Sequence, residues 1–540
     1  MPALSRPLSF VERHAPALAG AAAFGVYAAL APTVCGDRKS SELTLALATC
    51  GVPHPTGYPL YVLGGHVFVT ALRAMGASAP HAANLWSALG AAVAIGFLVS
   101  LARRLARPLA PSPRLGLAVT LLPAAVLLFH PLWAAAATVA EVHSWHLAWV
   151  LATLDASVIL LAPSSLPRSV PRLSAYGFLL GLGLAHHATA SLVLLPVSVV
   201  FVIAAREARL TPRHYVAAGL ASHVPLLAYG WLAWRAGHPG AFQWPQLDGD
   251  PMSILMHISG ASYGGFLGVF APSAGQRRLL LRAVVPMLGL VVPALAALAL
   301  WRSACPSRRM GWMLLACGLL PMANALLYGV DDPAAYFLPT LALGLAALAP
   351  LTVALADPAR TARAGRLAPV GLALLTLVVA LPGAREASLR RSYHEQFDRR
   401  VRALWNGMPA DSAIVFWSND GFWRLREYQI LEGDRTNLYV NHPLNLTSDR
   451  PRYEFADRFG FDPAAGLDLD QKGTREASLR YWVSAITGNV AGTSPIPVFD
   501  FRPGDDRVDW IGGGVRDPRP TALSASGSPP PAASGGAPAR

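Results

Sequence analysis

Long apolar runs separated by short polar breaks are the main pattern of this chain. A helix needs about 20 mostly apolar residues, and at least about 17, to cross the hydrocarbon core of a bilayer. The pattern therefore predicts about eleven membrane-spanning helices, with boundaries correct to a few residues. They lie near residues 17–34, 83–102, 115–131, 144–162, 174–188, 189–205, 214–234, 283–301, 310–328, 335–355 and 367–383.

One long polar interruption follows the first predicted span. It covers residues 35–82 and contains a stretch, 56–73, that is apolar enough to be mistaken for a span. Pro55, Gly57 and Pro59 break this stretch near its start. We therefore predict that residues 35–82 form one external loop, with short helices of its own in the outer membrane interface.

Arginine residues between the spans predict the orientation, because short cytoplasmic loops carry an excess of Lys and Arg. With the N-terminus inside and residues 56–73 kept out of the bilayer, five basic loops fall on the inside. Arg277, Arg278 and Arg282 are exceptions, since they fall outside. The expected location is a bacterial inner membrane, with the C-terminal domain in the periplasm. The inside loops are 103–114, 168–172, 206–213, 302–309 and 360–366.

Composition supports a multi-pass membrane protein. Apolar residues make up 53% of the chain and charged residues 14%, with a mean hydropathy of +0.40, whereas soluble domains average about 25% charged residues. Much of the net charge of +13 lies in the inside loops, where anionic lipid headgroups attract it. Membrane lipids are thus predicted partners, and nucleic acid is not, because no basic patch with interleaved aromatic residues is present.

The chain changes character after the last span. We assign residues 1–383 to an all-α polytopic membrane domain and residues 384–515, which are mixed in polarity, to a small external α/β domain. In the latter, residues 412–417 and 437–440 are strand-like, and 422–431 have a helical period. The tail, 516–540, is rich in Pro, Ala, Ser and Gly and is predicted to be disordered.

The external loop carries a recognisable motif. Residues 54–61 read His-Pro-Thr-Gly-Tyr-Pro-Leu-Tyr, after Ser-Glu-Leu at 41–43 and before Asn-Leu-Trp-Ser at 84–87. This combination resembles the bacterial and animal transmembrane proteins related to the plexin-directed protein O-mannosyltransferase, within the GT-C superfamily of polytopic glycosyltransferases. Weaker matches extend the resemblance over roughly the first 340 residues: 140–142, 181–187 and 328–339.

The resemblance implies an enzyme. Proteins of this class move a sugar, with mannose as the candidate here, from a polyprenyl-phosphate carrier to an acceptor hydroxyl on the outer face of the membrane. The acceptor class (protein, lipid or glycan) stays open, as does a divalent cation. Such a displacement needs a carboxylate to take the hydroxyl proton and cations or oriented donors for the departing phosphate.

The loop supplies both kinds of group, but it departs from the family at the base. Relatives usually read Asp-Ser-Gly-Glu, whereas this chain has Asp37, Arg38, Lys39, two serines and Glu42. Either Asp37 is displaced by two inserted residues, or Lys39 occupies the aspartate position. We favour Asp37 as the base, with Glu42 as the alternative, and assign Arg38 and Lys39 to the carrier phosphate. A solvated charge cluster at a helix end is the competing interpretation.

Two further groups are donor-binding candidates. His54 lies between two prolines that hold its backbone, so we expect it, with Tyr58, near the phosphate or sugar; a His that only caps the turn is equally compatible. His186 and His187 interrupt an apolar stretch. Adjacent helical residues point about 100° apart, so these two would not chelate one ion together.

Acidic residues at span ends complete the candidates. Glu141 begins the fourth span and is a further catalytic candidate, because ionisable residues at membrane depth usually face a polar cavity; interfacial snorkelling is the alternative. With His143 and His146 it does not form a recognised zinc pattern, so no metal site is assigned. Asp331 and Asp332 could bind an acceptor or cation, or simply form a helix-terminal turn.

Cys35 and Cys50 lie on the same external loop, where oxidation is permitted, so a disulfide or two free thiols are both compatible with the sequence.

Two functions other than sugar transfer are also considered. A transporter or flippase should show internal repeats and mid-membrane charges, and neither is evident. A non-catalytic membrane scaffold with a glycan-binding external domain would retain the motif only structurally.

Overall fold

The structure is a computed structural model that describes most of the chain. It divides the chain into two compact units: the first comprises Met1–Gly36 and Glu42–Ser392, and the second Asp37–Ser41 and Tyr393–Arg540. The described residues are 5–36, 38–110, 113–161, 169–238, 240–247, 249–261, 268, 270, 272–301, 305, 307–330, 332–356, 364–409, 411–418, 421–469 and 475–514.

Helices build the first unit, and each predicted span coincides with helical structure. The helices are α1 (Ser5–Leu30), α2 (Arg38–Thr49), α3 (Pro59–Ala74), α4 (Ala79–Ala106), α5 (Pro113–Phe129), α6 (Pro131–Thr138), α7 (His143–Leu160), α8 (Val170–Leu184), α9 (Ala190–Glu207), α10 (Pro212–His223), α11 (Gly230–Ala236), α12 (Pro251–Ser259), α13 (Ala274–Leu279), α14 (Val285–Leu300), α15 (Arg308–Leu327), α16 (Leu338–Leu355) and α17 (Ala364–Asn406).

Seven helical segments among the described residues are long and apolar enough to cross a membrane, or up to eight if the bent pair α5 and α6 forms one span. The polytopic all-α membrane fold is thereby confirmed, while the number of about eleven spans stays a prediction. The seven segments are Ala79–Leu109, Ala190–Glu207, Pro212–Ala236, Ala274–Leu300, Arg308–Leu327, Pro333–Leu355 and Pro369–Asn406.

Small residues allow the helices of this unit to approach closely. Gly177 and Gly181 lie four residues apart on α8, and a Cβ atom at either position would clash with the backbone carbonyl of Ala218 or Ser222 in α10. Helices in lipid associate largely through such close backbone packing. Long α17 instead exposes large apolar side chains, including Val378, as expected for a helix surrounded by lipid tails.

The loop at 35–82 has its own helices, as predicted. Pro59 occupies the first turn of α3, where its missing N–H costs no hydrogen bond. Gly57 and Tyr58 precede it with positive φ angles of 80° and 46°. This left-handed backbone reverses the chain sharply before α3 begins.

The second unit contains a four-stranded mixed sheet. Its order is β2-β1-β3-β4, in which β1 pairs in parallel with β2 and β3, and β4 is antiparallel to β3. The central strand β1 has three buried residues, as expected for a strand covered on both faces. The strands are β1 (Ile414–Phe416), β2 (Tyr439–Asn441), β3 (Val498–Arg502) and β4 (Arg507–Gly512), and the helices are α18 (Phe422–Glu432), α19 (Asp449–Phe459) and α20 (Arg475–Thr493).

This unit confirms a small C-terminal α/β domain. Both predicted strands and the predicted helix between them are present, whereas β3, β4, α19 and α20 had not been predicted. The predicted domain start at 384 falls inside the continuous helix α17, and the compact units divide at Ser392 and Tyr393. The predicted disordered tail, 516–540, lies outside the described residues.

Candidate active site

A carboxylate and an imidazole of the external loop are paired. The backbone N–H of His54 donates to Glu42 Oε1 over 2.7 Å, and His54 Nδ1 lies 2.8 Å from the same oxygen. Glu42 lies on α2 and is 5% exposed. A carboxylate accepts hydrogen bonds, so the pairing selects the imidazole form with the proton on Nδ1. In the neutral ring, Nε2 is then an acceptor.

Tyr58 extends this pair. Its hydroxyl lies 3.0 Å from His54 Nε2 and is placed to donate to it. The left-handed turn at Gly57 and Tyr58 brings the phenol back over His54, only four residues earlier in the chain. The phenol ring of Tyr58 also stacks on the imidazole of His187, with ring centroids 5.4 Å apart. The sequence candidates Glu42, His54, Tyr58 and His187 thus form one contiguous group.

More rings surround His187. Its centroid lies 4.9 Å from that of His146 and 5.7 Å from that of His143. The hydroxyl of Thr189 lies 2.8 Å from His187 Nδ1 and 3.1 Å from His146 Nε2. Tyr336 packs edge-on against His143 at 5.3 Å. Helix α7, the turn after α8 and the turn before α16 therefore converge on His187.

Glu141 reaches the edge of this group. Its Oε1 lies 3.5 Å from His143 Nε2. The motif residues Asn84 and Ser87 hold the surrounding backbone: Asn84 Oδ1 accepts from the Ala140 N–H, and Ser87 Oγ both accepts from the Glu141 N–H and donates to its carbonyl. The two amide hydrogens of Asn84 go to the carbonyls of residues 32 and 34. This part of the motif is therefore structural.

His186 has a different environment from His187. Its Nε2 contacts the Val142 carbonyl at 3.3 Å, and its ring is buried. The His187 ring stacks on Tyr58, whereas the His186 ring contacts Tyr61 and His146. The interaction with Val142 gives His186 a role in fixing the start of α7.

The structure describes less of the remaining candidate residues. Asp37 and Asp331 lie outside the described residues, and Arg38 begins α2 but its side chain is not described. Lys39 is half-buried in the first turn of α2. Asp332 directly precedes the short 3-10 turn Pro333–Phe337. The roles assigned to these residues stay predictions.

Two residues of this region were not predicted as site residues. Tyr336 entered only as part of a weak family match, and His257 on α12 was not noticed. A Cβ at Gly57 would lie 3.3 Å from His257 Nε2, so this histidine packs against the loop motif. Burial lowers the pKa of His257 to about 4, with a smaller contribution from His54. A lone His in a short helix gives no sequence signal for such a contact.

The structure also describes possible metal ligands and the two cysteines of the loop. Among the described residues, no three His, Cys, Asp or Glu side chains are arranged to hold a metal ion. Cys35 and Cys50 are free thiols, and Cys35 Sγ donates to Thr44 Oγ1 over 3.3 Å. The disulfide considered from the sequence is therefore absent, because Cys35 points to α2 rather than to Cys50.

The loop motif lies in a part of the chain that is similar to a known protein family. A family model described as the N-terminal domain of the protein O-mannosyl-transferase TMEM260 matches residues 39–211. This region includes Glu42, His54, Tyr58 and His187 but begins after Asp37. Comparison with curated proteins gives no significant match.

Among solved structures, ArnT has a similar fold at low sequence identity. ArnT from Cupriavidus metallidurans, bound to undecaprenyl phosphate, is 14% identical, with 84% of this chain and 95% of that chain covered and a TM-score of 0.51. The oligosaccharyltransferase of Archaeoglobus fulgidus, tethered with an acceptor peptide, is 12% identical, with 91% and 69% covered and a TM-score of 0.49. The family match and the ArnT fold confirm the resemblance drawn from the loop motif.

Proposed function

We propose that this chain, a GT-C-type membrane glycosyltransferase related to the protein O-mannosyltransferases, transfers mannose from a polyprenyl-phosphate carrier to an acceptor hydroxyl. The observation that carries the proposal is the Glu42–His54–Tyr58 hydrogen-bonded group in the family motif. The undecaprenyl phosphate bound to ArnT supports the same class of carrier here.

In this proposal Glu42 is the general base. The acceptor oxygen attacks the anomeric carbon, the bond from that carbon to the phosphate oxygen breaks, and the acceptor proton passes to the carboxylate. Glu42 Oε1 already receives two hydrogen bonds from His54, so Oε2 takes the proton. The leaving group is the carrier phosphate, which keeps the bonding electron pair.

We prefer Glu42 to Asp37 for two reasons. Glu42 is buried and oriented by His54, which is how a catalytic carboxylate is held in position. It also lies within the family match, whereas Asp37 precedes it. Asp37 remains the alternative base, and Glu141, whose Oε1 lies 3.5 Å from His143 Nε2, remains a further catalytic candidate.

The carrier phosphate is assigned to cationic and hydrogen-bonding groups of the same loop. Arg38 and Lys39 precede Glu42 by four and three residues, and a guanidinium or ammonium forms strong charge-assisted hydrogen bonds with phosphate. His54, Tyr58 and His187 supply orienting groups. A divalent cation could share this role, as could Asp332 for the acceptor, which is a protein, lipid or glycan hydroxyl.

The protein is an integral multi-pass membrane protein. We propose a bacterial inner membrane location, with residues 35–82 and the C-terminal domain in the periplasm, on the basis of the arginine distribution. Single cysteines at Ser78 and Ser412 should both react with a membrane-impermeant thiol reagent in intact cells. Protection at either position, in a variant that reacts after membrane disruption, would contradict this orientation.

Turnover of defined carriers tests the function. The purified protein in lipid nanodiscs would be incubated with a panel of polyprenyl-phosphate sugars and a serine-containing peptide, and release of polyprenyl phosphate would be measured. We expect release from the mannose carrier that depends on Glu42, while Glu454→Gln, at an exposed position in the second unit, serves as the matched control. Carriers that are bound without release of polyprenyl phosphate would contradict a transferase.

A further inference from the structure

A narrow recess lies beside the histidine cluster, within the first unit. Its volume is about 10 Å³, which is room for one group the size of a water molecule or a hydroxyl. Its walls come from α7, from the start of α9, from α15 and from the turn before α16. The lining residues are His143, His146, Thr189, Leu192, Pro321, Asn324, Ala335, Tyr336 and Pro339.

One polar atom in this wall lacks a protein partner. His146 is 5% exposed, and its Nε2 is engaged by Thr189. Its Nδ1 has no hydrogen-bond partner among the described residues. An unpaired buried polar group costs about 1–3 kcal/mol, so the arrangement is explained if a ligand supplies the missing partner.

Asn324 adds a second polar group to the wall. It lies on α15, one of the helices long and apolar enough to cross a membrane. Polar side chains on such helices usually face a cavity or a partner with a function. The amide of Asn324 carries both a donor and an acceptor, as does the hydroxyl of Thr189.

The charge of the lining residues indicates which class of ligand the recess would bind. None of the described residues that line the recess is Lys, Arg, Asp or Glu, so the wall itself places no fixed counter-ion against a phosphate or an amine. It offers imidazole, amide and hydroxyl groups beside the rings of Tyr336 and His143, which pack at 5.3 Å. Hydroxyl groups and a flat C–H face are what a neutral sugar ring presents to such a wall.

The position of the recess connects it to the proposed reaction. His187 stacks on Tyr58 at 5.4 Å and lies 4.9 Å, between ring centroids, from His146. A single ring therefore separates the recess from the Tyr58 and His54 pair. A sugar edge held in the recess would place the rest of the ring beside the group that carries the base.

We propose that this recess receives one hydroxyl at the edge of the donor's sugar ring, and that His146, Thr189 and Asn324 around it select the sugar. The proposal rests on the proposed function and adds the residues that discriminate between sugars. A site that hydrogen-bonds a substrate hydroxyl discriminates strongly against an analogue that cannot satisfy it, because its buried polar groups are then left unpaired.

The test separates sugar binding from carrier binding. Affinities for polyprenyl-phosphate mannose and for bare polyprenyl phosphate would be measured on the full chain in nanodiscs, for Asn324→Leu, Thr189→Val and the parent. Asn324→Leu removes the polar group nearest to a pure sugar contact, whereas Thr189→Val also removes the hydroxyl that contacts His146 and His187. We expect the affinity for the mannose carrier to fall by about tenfold, on the order of one hydrogen bond, with the affinity for the bare carrier unchanged. Met322→Leu, on the same helix, is the control.

A second readout concerns selectivity. The ratio of turnover of the mannose carrier to that of the glucose carrier, two sugars that differ in the configuration of one hydroxyl, should change in both variants but not in Met322→Leu. Equal losses for both carriers, or unchanged affinities and ratios with turnover intact, would overturn the subsite alone and leave the proposed function standing. No turnover by the parent protein with any sugar carrier would overturn the proposed function itself.

Discussion

Polar side chains serve different purposes in the two units. In the first unit, Glu42, His54 and Tyr58 are mostly buried and hydrogen-bond to one another among apolar helices. In the second, many charges form partly exposed pairs, such as Arg452 with Asp462 and Arg402 with Glu432. Exposed pairs add little stability because water competes for them. Buried polar groups in a membrane bundle are costly, so a closed group of them marks a site.

One ion pair of the second unit breaks this contrast, and it gives the largest expected effect on stability. Arg424 is 4% exposed and pairs with Asp398, which also accepts from the Tyr428 hydroxyl at 3.0 Å. Removing one partner of a buried pair leaves an uncompensated charge. Arg424→Met should reduce the unfolding free energy of this unit by about 3 kcal/mol. Hydrogen exchange of β1 and α18 in the full-length protein would measure it; unaltered protection would show that the pair is dispensable.

The next effect concerns the orientation of the base. His54→Leu removes the ring bond to Glu42 but keeps the backbone N–H bond. A hydrogen bond to a charged group contributes about 1.5–3 kcal/mol, so turnover should fall by roughly 10- to 100-fold. Tyr58→Phe, which removes only the phenol hydroxyl, is the matched comparison and should cost less. If His54→Leu turned over donor at the parental rate, the pairing would have no catalytic role.

The smallest effect on stability is expected at a partly exposed ion pair, Arg452 with Asp462. Arg452 Nε donates to Asp462 Oδ1 over 2.6 Å, and this hydrogen bond holds the pKa of Asp462 below its usual range. Its contribution is present above the unfolded pKa of about 3.9 and is lost as the pH falls through the lower folded value. Arg452→Met should change stability at neutral pH by at most about 1 kcal/mol. A loss as large as that of Arg424→Met would remove the contrast between buried and exposed pairs.

The sequence predicted a multi-pass membrane protein and candidate site residues in the loop at 35–82, because both predictions depend on local patterns. Apolar runs of sufficient length identify helices, and Glu42, His54 and Tyr58 lie close together in the chain. The first strand and helix of the α/β domain were also visible as periodic segments. The strands β3 and β4 were not, because their residues mix polar and apolar positions irregularly.

The arrangement of the site could not be predicted in the same way. The positive φ angles at Gly57 and Tyr58, which bring the phenol onto His54, depend on the packing of the folded loop. Tyr336 and His257 come from elements about 200 residues or more along the chain, so no local pattern connects them to His54. The sequence also favoured Asp37 for its position after the first span, whereas our proposal of Glu42 starts from its pairing with His54.

The choice between these two carboxylates is the most direct test of the account. Turnover of the mannose carrier and donor affinity would be measured side by side for Glu42→Gln and Asp37→Asn in nanodiscs. A general base contributes about 10²- to 10⁴-fold in rate, so Glu42→Gln should lose that much with its donor affinity intact, and Asp37→Asn should keep most of its turnover. An inactive Asp37→Asn beside a Glu42→Gln that works at the parental rate would contradict the central assignment.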